Sequence, residues 1–388
     1  MRRAAIIVLD GLGIGPAHDT PAYGDAGSNT LGNVARVLGG LTLPELERLG
    51  LGRCAMVEGL ASVPNPSAAF GVCEPASPGK DSTTGHWEIC GVILEHPFPT
   101  YPQGFPPKLI EDFERVTGRG VLGNLPSSGT AILDRYGEEH CRSGRWIVYT
   151  SADSVFQVAA HESTIPLAEL YQACERARGL LRGEHAVSRV IARPFVGAPG
   201  AWVRTPHRRD FSLPPPGPTL LDRLAEAGIA RAGVGKVDDL FAGRSISSVH
   251  AATNPEAYDL IQDALETLSG GLLLANVIEF DQTWGHRNDA PGFYGGLREL
   301  DATVPRLLRK VRDQDLIIFT ADHGNDPTTA STDHSREVVP LLVLGPRIRP
   351  VDLGRRSTFA DIGQTLAEFF NVPALASGTS FLSEVWRD

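Results

Sequence analysis

The sequence predicts an α/β protein, with a mainly parallel sheet flanked by helices and an inserted smaller α/β domain. Three observations carry this reading. Short apolar runs of strand length alternate with longer amphipathic stretches; two proline-rich segments interrupt that rhythm; and Asp or His residues recur directly after the apolar runs. Strands are read at 5–9, 272–280, 316–320 and 338–344, and helices at 166–181, 257–268, 296–311 and 358–370. The last helix opens with Ser357 and Thr358, hydroxyls suited to capping its first amides, and Asp361 suits its positive end. The interruptions span 96–107, with Pro97, Pro99, Pro102, Pro106 and Pro107, and 204–218, with Pro206, Pro214, Pro215, Pro216 and Pro218. Proline stiffens the chain and disfavours pairing, so these segments read as paired linkers. The expected organisation is a core from 1–97 and 214–388 around an insert at 98–213.

The 388 residues are 42% hydrophobic, enough for one large core or two smaller ones. Thirty-six Lys and Arg against 46 Asp and Glu leave a net charge of −10, which disfavours general binding to nucleic acid or anionic membranes. An anionic substrate must then be captured by local positive charge. No apolar run approaches the roughly 20 residues that span a bilayer, and Met1-Arg2-Arg3 leads straight into the first strand rather than to a cleavage site, so a cytoplasmic protein is expected. Cys54, Cys73, Cys90, Cys141 and Cys174 lack paired spacing, which suits reduced thiols and excludes a cysteine zinc motif. Oligomeric state is not encoded in any of these patterns.

The chemistry gathers at predicted strand ends. Asp10 follows the first strand, Asp281 the second, and Asp322-His323 the third. Ligands of open α/β sheets bind outside the carboxyl ends of strands, so residues far apart in sequence can share one crevice. His286 lies in the loop after Asp281, and His334 lies beyond His323. Mixed carboxylate and imidazole donors suit Mn, Zn or Fe better than Ca. Three Asp and three His are about right for two divalent ions roughly 4 Å apart, a common device for phosphoryl chemistry. One Asp–His pair in a loop is more often a turn and a surface imidazole; repetition at successive strand ends shifts that balance. His18, His86, His96, His140, His161, His185, His207 and His250 lack such partners in sequence and are read as structural or unassigned.

A second motif is Gly79-Lys80-Asp81-Ser82-Thr83-Thr84-Gly85-His86-Trp87-Glu88. A hydroxyl at a turn entering a helix can act as a nucleophile whose alkoxide is stabilised by amides and the helix dipole, or it can simply cap the helix. Chemistry alone does not choose among Ser82, Thr83 and Thr84. Gly233-Val234-Gly235-Lys236 lacks the spacing of a phosphate loop, with Val237 in place of its hydroxyl, and Gly11-Leu12-Gly13-Ile14-Gly15 lacks that of a dinucleotide fingerprint.

Taken in order, four blocks resemble the phosphopentomutase family of the alkaline phosphatase superfamily: Asp10 to Gly15, Gly79 to Glu88, Asp281 with Trp284-Gly285-His286-Arg287, and the run from Thr320 through Asp322-His323-Gly324-Asn325-Asp326 to His334 and Glu337. The resemblance implies an alkaline phosphatase-like core and an isomerase that interconverts ribose or 2-deoxyribose 1-phosphate and 5-phosphate, through a phosphothreonine and a 1,5-bisphosphate. It implies Thr84 as nucleophile and two Mn ions, one held by Asp10, Asp322, His323 and Thr84, the other by Asp281, His286 and His334. A sugar bisphosphate activator is implied as well. Segments 149–154 and 191–195 are similar to the family's sugar-phosphate contacts, which implicates Ser151, Asp153 and Arg193, with Lys236 as a further contact. Two departures stand out: Ser82 where the family often has Thr, and Gly11 where Ser is frequent. Closure of the insert is expected to exclude water and to present Arg193 and Lys236 to the distal phosphate. The alternatives are a metal-dependent phosphatase, a cofactor-independent phosphoglycerate mutase and, more remotely, a non-catalytic metal-binding protein.

Overall fold

The computed structural model describes residues 2–151 and 154–387. Asp153 lies outside the described residues. The chain divides into two compact units, one of Met1–Pro97 with Pro215–Asp388 and one of Phe98–Pro214.

In chain order the strands are β1 (Arg3–Leu9) and β2 (Ala69–Cys73); β3 (Val121–Pro126), β4 (Trp146–Thr150), β5 (Val155–His161), β6 (Arg189–Val196), β7 (Val203–Arg204) and β8 (Arg209–Ser212) in the insert; then β9 (Arg231–Val234), β10 (Ser248–Val249), β11 (Gly271–Val277), β12 (Asp315–Thr320), β13 (Val339–Leu344) and β14 (Asp352–Arg356). The larger unit's sheet has the order β10-β9-β11-β1-β12-β13-β2-β14. Its centre is parallel, with β1 between β11 and β12, and β13 runs antiparallel to both β12 and β2. β1, β11 and β12 are buried along their whole lengths. Strands covered on both faces tolerate no polar alternation, which is why they read as continuous apolar runs.

Register matters more than the fold's outline. Leu9 lies opposite Val277 and Val8 opposite Thr320, so the segments beginning at Asp10, Ile278 and Ala321 leave the sheet along one edge. At the other end of these strands, buried Arg3 lies opposite Asp315, and its Nε donates to both carboxylate oxygens at 3.2 and 3.1 Å. Slipping β1 by one residue would strand both charges, so this pair helps pin the register.

Three helices of this unit follow the expected positions, with differences at their ends. Asn254–Thr267 is capped by Thr253. Ala290–Leu308 begins earlier than the sequence suggested, because Asp289 accepts the Gly292 amide and Pro291 fits the first turn. Gly292 and Gly296, which look like breakers, are packing sites: a Cβ at either would lie 2.4 or 2.2 Å from the Trp284 ring. In Ala360–Phe370 the Thr358 hydroxyl accepts the Ala360 amide, while Asp361 turns to the Thr379 amide and Arg356. The strand read at 272–280 stops at Val277, and Phe280–Trp284 forms a single π-helical turn.

The insert is its own α/β layer structure. Its sheet runs β3-β4-β5-β6-β7, with β8 also paired to β6. Phe113, Trp146, Phe156 and Val190 pack within one apolar cluster, and Ile132, Ile147 and Phe195 within another. Its helix Leu167–Leu180 matches the expected 166–181 within one residue at each end. No helix among the described residues is long and apolar enough to cross a membrane.

Candidate metal centre and nucleophile

The aligned ends of β1, β11 and β12 deliver Asp10, Asp281, Asp322 and His323 to one buried place. His323 Nε2 lies 3.3 Å from Asp10 Oδ1 and 3.5 Å from Asp322 Oδ2. Asp281, on the π-helical turn, reaches His286 Nε2 at 3.2 Å through Oδ2 and His334 Nε2 at 3.2 Å through Oδ1. The His323 and His334 rings, 4.1 Å apart, join the two groups into one constellation. Within this constellation two sets of side chains have donor atoms close enough to share an ion: Asp281 with His286 and His334, and Asp10 with Asp281 and His323.

The hydrogen bonds leave these groups ready for a cation. His323 Nδ1–H donates to the Gly324 carbonyl at 3.0 Å and His286 Nδ1–H to the Thr332 carbonyl at 2.6 Å, so each Nε2 faces the carboxylates. Burial opposes protonation of both rings, but the carboxylate charges raise the His323 pKa well above its ordinary value and that of His286 to about 9; a bound cation would take the place of the Nε2 protons. Asp322 Oδ1 accepts the Gly11 amide, whereas its buried Oδ2 accepts no well-aligned hydrogen bond and has only the ion-pair contacts of His86 Nδ1 at 3.1 Å and His323 Nε2 at 3.5 Å. Burial pushes the Asp10 carboxyl above its ordinary range, and the charges of Asp322 and Asp281 add to this. Burial also works against ionisation of Asp281, but His334, His286 and His323 overcome it and hold its carboxyl well below the usual range. Three buried carboxylates and inward-facing imidazole nitrogens form a donor set that fits divalent cations.

The nucleophile motif forms the helix Ser82–Ile89, capped by Asp81. A Cβ at Gly85 would lie 2.1 Å from the Asp322 carbonyl, so glycine lets this helix sit directly on the β12 end. Three successive hydroxyls then point different ways. Ser82, in the first helical position, places Oγ 3.1 Å from His323 Nε2 and 3.4 Å from Asp10 Oδ1. Thr84 instead donates its hydroxyl to Asp81 Oδ2 at 2.6 Å, and its amide bonds Asp81 Oδ1. The hydroxyl implied by resemblance is therefore engaged in helix capping, and the one set aside as a departure faces the ligands.

Lys236 follows β9 at the same end of the sheet, and its Nζ donates to Gln282 Oε1 beside Asp281. In the insert, Ser151 and Arg193 line a cavity of about 280 Å³ together with Gln157, Arg189, Arg204 and Arg208. Arg193 Nε donates to Gln157 Oε1, and burial together with the neighbouring arginines brings its pKa down to about 10. Arg208 pairs with Asp210. The Arg204 guanidinium lies over the start of the helix Gly129–Ser143, where a Cβ on Gly129 would be 1.5 Å from Nη2. Guanidinium groups crowded at a helix N-terminus make an anion pocket in an acidic chain. Arg204 and Arg208 escaped the sequence reading, because only the β6–β7 and β6–β8 pairings bring them to Arg193; Arg189 shares β6 with it.

A parallel sheet that collects carboxylates and imidazoles at its strand ends defines a metal-dependent enzyme, and a model of the metalloenzyme superfamily matches residues 2–374. The fold is alkaline phosphatase-like: a solved Leishmania mexicana phosphoglycerate mutase, 14% identical, covers 100% of this chain and 98% of its own at a TM-score of 0.50. Among curated relatives, the phosphopentomutase of Dictyoglomus turgidum is 55% identical over 387 residues, 99% of this chain and 98% of that protein. That of Dictyoglomus thermophilum is 54% identical, covering 99% of both. The chain belongs to the phosphopentomutase family, and it is an isomerase of the phosphotransferase kind.

Proposed function

We propose that the chain interconverts ribose or 2-deoxyribose 1-phosphate and 5-phosphate through a phosphoserine at Ser82 and a sugar 1,5-bisphosphate. The observation that supports this most directly is the Ser82 hydroxyl, 3.1 Å from His323 and 3.4 Å from Asp10 at the start of a helix. Asp10, Asp322 and His323 would hold one divalent ion and Asp281, His286 and His334 the other, with Mn suited to this donor set. Two bound cations would supply the positive charge that stabilises a serine alkoxide and the oxygens of a transferring phosphoryl group.

The chain's own residues do the rest. Phospho-Ser82, primed by a sugar bisphosphate, gives its phosphoryl group to the free 5-hydroxyl of the sugar 1-phosphate; the Ser82 Oγ–phosphorus bond breaks as the new ester forms, and the 5-hydroxyl proton passes, net, to Ser82 Oγ, which returns it to the C1 oxygen in the second half. The bisphosphate turns round, Ser82 Oγ attacks the phosphorus at C1, and the sugar 5-phosphate departs with a free C1 hydroxyl. Asp81 keeps the helix start in place by holding Thr84, so Ser82 returns to the same position after each half-reaction. Arg193 and Arg204 in the insert bind phosphate through bidentate hydrogen bonds, and Lys236 adds a point charge beside Gln282. Ser151 lines the same arginine pocket.

Phosphorus NMR of the Mn-loaded protein with ribose 1-phosphate tests the reading. The expected product is ribose 5-phosphate, with 3-phosphoglycerate unchanged in a parallel sample. Inorganic phosphate as the main product would make the chain a phosphatase, and turnover of 3-phosphoglycerate would make it a phosphoglycerate mutase.

A further inference from the structure

His86 has no place in the chemistry described so far, yet it is fully buried and touches three of the segments that build the site. Its Nδ1–H donates to the Ser82 carbonyl at 2.9 Å and sits 3.1 Å from Asp322 Oδ2. Its Nε2 faces the Asn276 amide nitrogen at 3.4 Å, and that same nitrogen donates to Asp10 Oδ2 at 3.0 Å. Asn276 is a polar residue inside the otherwise apolar β11, 1% exposed, with Oδ1 buried and without a hydrogen-bond partner. An orphaned buried acceptor costs stability, so an apolar side chain of similar size would serve packing better.

From this geometry we infer that His86 and Asn276 are positioning residues: together they fix the Asp10 and Asp322 carboxylates relative to the Ser82 backbone, and so shape one half of the metal centre. The inference rests on the two-ion reading above. The relay is one-sided. Asp281, His286 and His334 have other supports, since Asn325 Nδ2 donates to Asp281 Oδ1 at 2.6 Å and the Thr332 carbonyl holds His286. Removing the relay should therefore weaken one ion and spare the other.

Calorimetric titration of metal-free protein with Mn²⁺, paired with thermal melting of the metal-free form, tests this. In Asn276→Leu one of the two ions should bind about 10–100-fold more weakly, the range typical for lost outer-sphere partners, while the other binds as in the wild type. Melting of the metal-free form should hold or rise, because the unpaired acceptor is gone. His86→Leu should weaken the same ion, and His86→Asn, whose amide can replace the Nδ1–H donor, should restore it at least in part. Equal weakening of both ions, or two-ion binding in the variants indistinguishable from wild type, overturns the positioning role. A wild type that takes up fewer than two ions would sink the two-ion reading itself, and the inference with it.

Discussion

The sharpest prediction separates Ser82 from Thr84, two residues apart on one helix. Ser82→Ala removes an oxygen whose contacts are only 3.1 and 3.4 Å long and whose neighbours are the candidate ligands. It should leave folding nearly unchanged and lower turnover by roughly 10⁴-fold or more, the scale of losing a nucleophile. Thr84→Ala has the opposite profile. It deletes the 2.6 Å bond to Asp81 at the helix start, although the amide bond at 3.1 Å survives. The cost should be about 1–2 kcal/mol of stability, with kcat kept within about tenfold, as a positioning effect allows. Ser82→Thr should retain activity, since the same oxygen sits on the same backbone position. Intact mass of protein incubated with a sugar bisphosphate, followed by peptide mapping, reads the phosphorylated residue directly. A phosphoryl group on Thr84, or an active Ser82→Ala protein, would refute the assignment.

Three further outcomes follow from other parts of the molecule. Stripping divalent ions should lower the melting temperature, because an ion present at 100 times its Kd adds about 2.7 kcal/mol to stability; identical melting with and without chelator would count against a metal centre. Arg204→Ala should raise KM for the sugar phosphate more than tenfold with a smaller change in kcat, the loss of about 1.5–3 kcal/mol of charge-assisted bonding, and Gly129→Ala should act in the same direction because its Cβ would displace that guanidinium. The Glu337 carboxyl, buried against Thr30 and Ser335, is pushed up to about 7, by burial first and by the Asp326 charge as well. The native state therefore holds this proton where the unfolded chain has released it, so the stabilisation is complete below 4.5 and is lost as pH rises to about 7; Glu337→Gln should flatten that part of the denaturation profile, and an unchanged slope would refute it.

Asp10 and Asp322 were legible because a strand buried on both faces runs apolar until it leaves the core, and the first carboxylate marks the exit; after β11 Glu279 comes first and Asp281 follows two residues later. The same rule overran at 278–280, where Ile278 and Phe280 are as buried as a strand yet belong to the loop and the π-helical turn that swings Asp281 toward His286 and His334. Periodicity cannot see such a turn. Nor can it choose among Ser82, Thr83 and Thr84: successive helical residues point about 100° apart, and the one that faces the ligands is decided by where β12 meets the helix at Gly85. The arginine pocket was hidden for a related reason, since short edge strands such as β7 carry little pattern of their own.

Asn276 is the instructive omission, for its signal was present in the sequence. A single amide within Leu272-Leu273-Leu274-Ala275-Asn276-Val277 breaks an apolar strand one position before its end. Burying an amide is costly unless hydrogen bonds compensate, and here only half of it is compensated: Nδ2 finds Asp10 while Oδ1 finds nothing. A residue that packing alone would replace, placed one step from the strand ends that gather the carboxylates, is better explained by the site than by the core. The same logic applies to Asn325, whose Nδ2 reaches Asp281 while its Oδ1 is likewise unpaired. Each of the two proposed ligand sets thus has one buried asparagine holding one of its aspartates. Replacing Asn325 with leucine should weaken the ion of Asp281, His286 and His334, and replacing Asn276 should weaken the other; if both variants weakened the same ion, the division of the six ligands into two sets would be wrong.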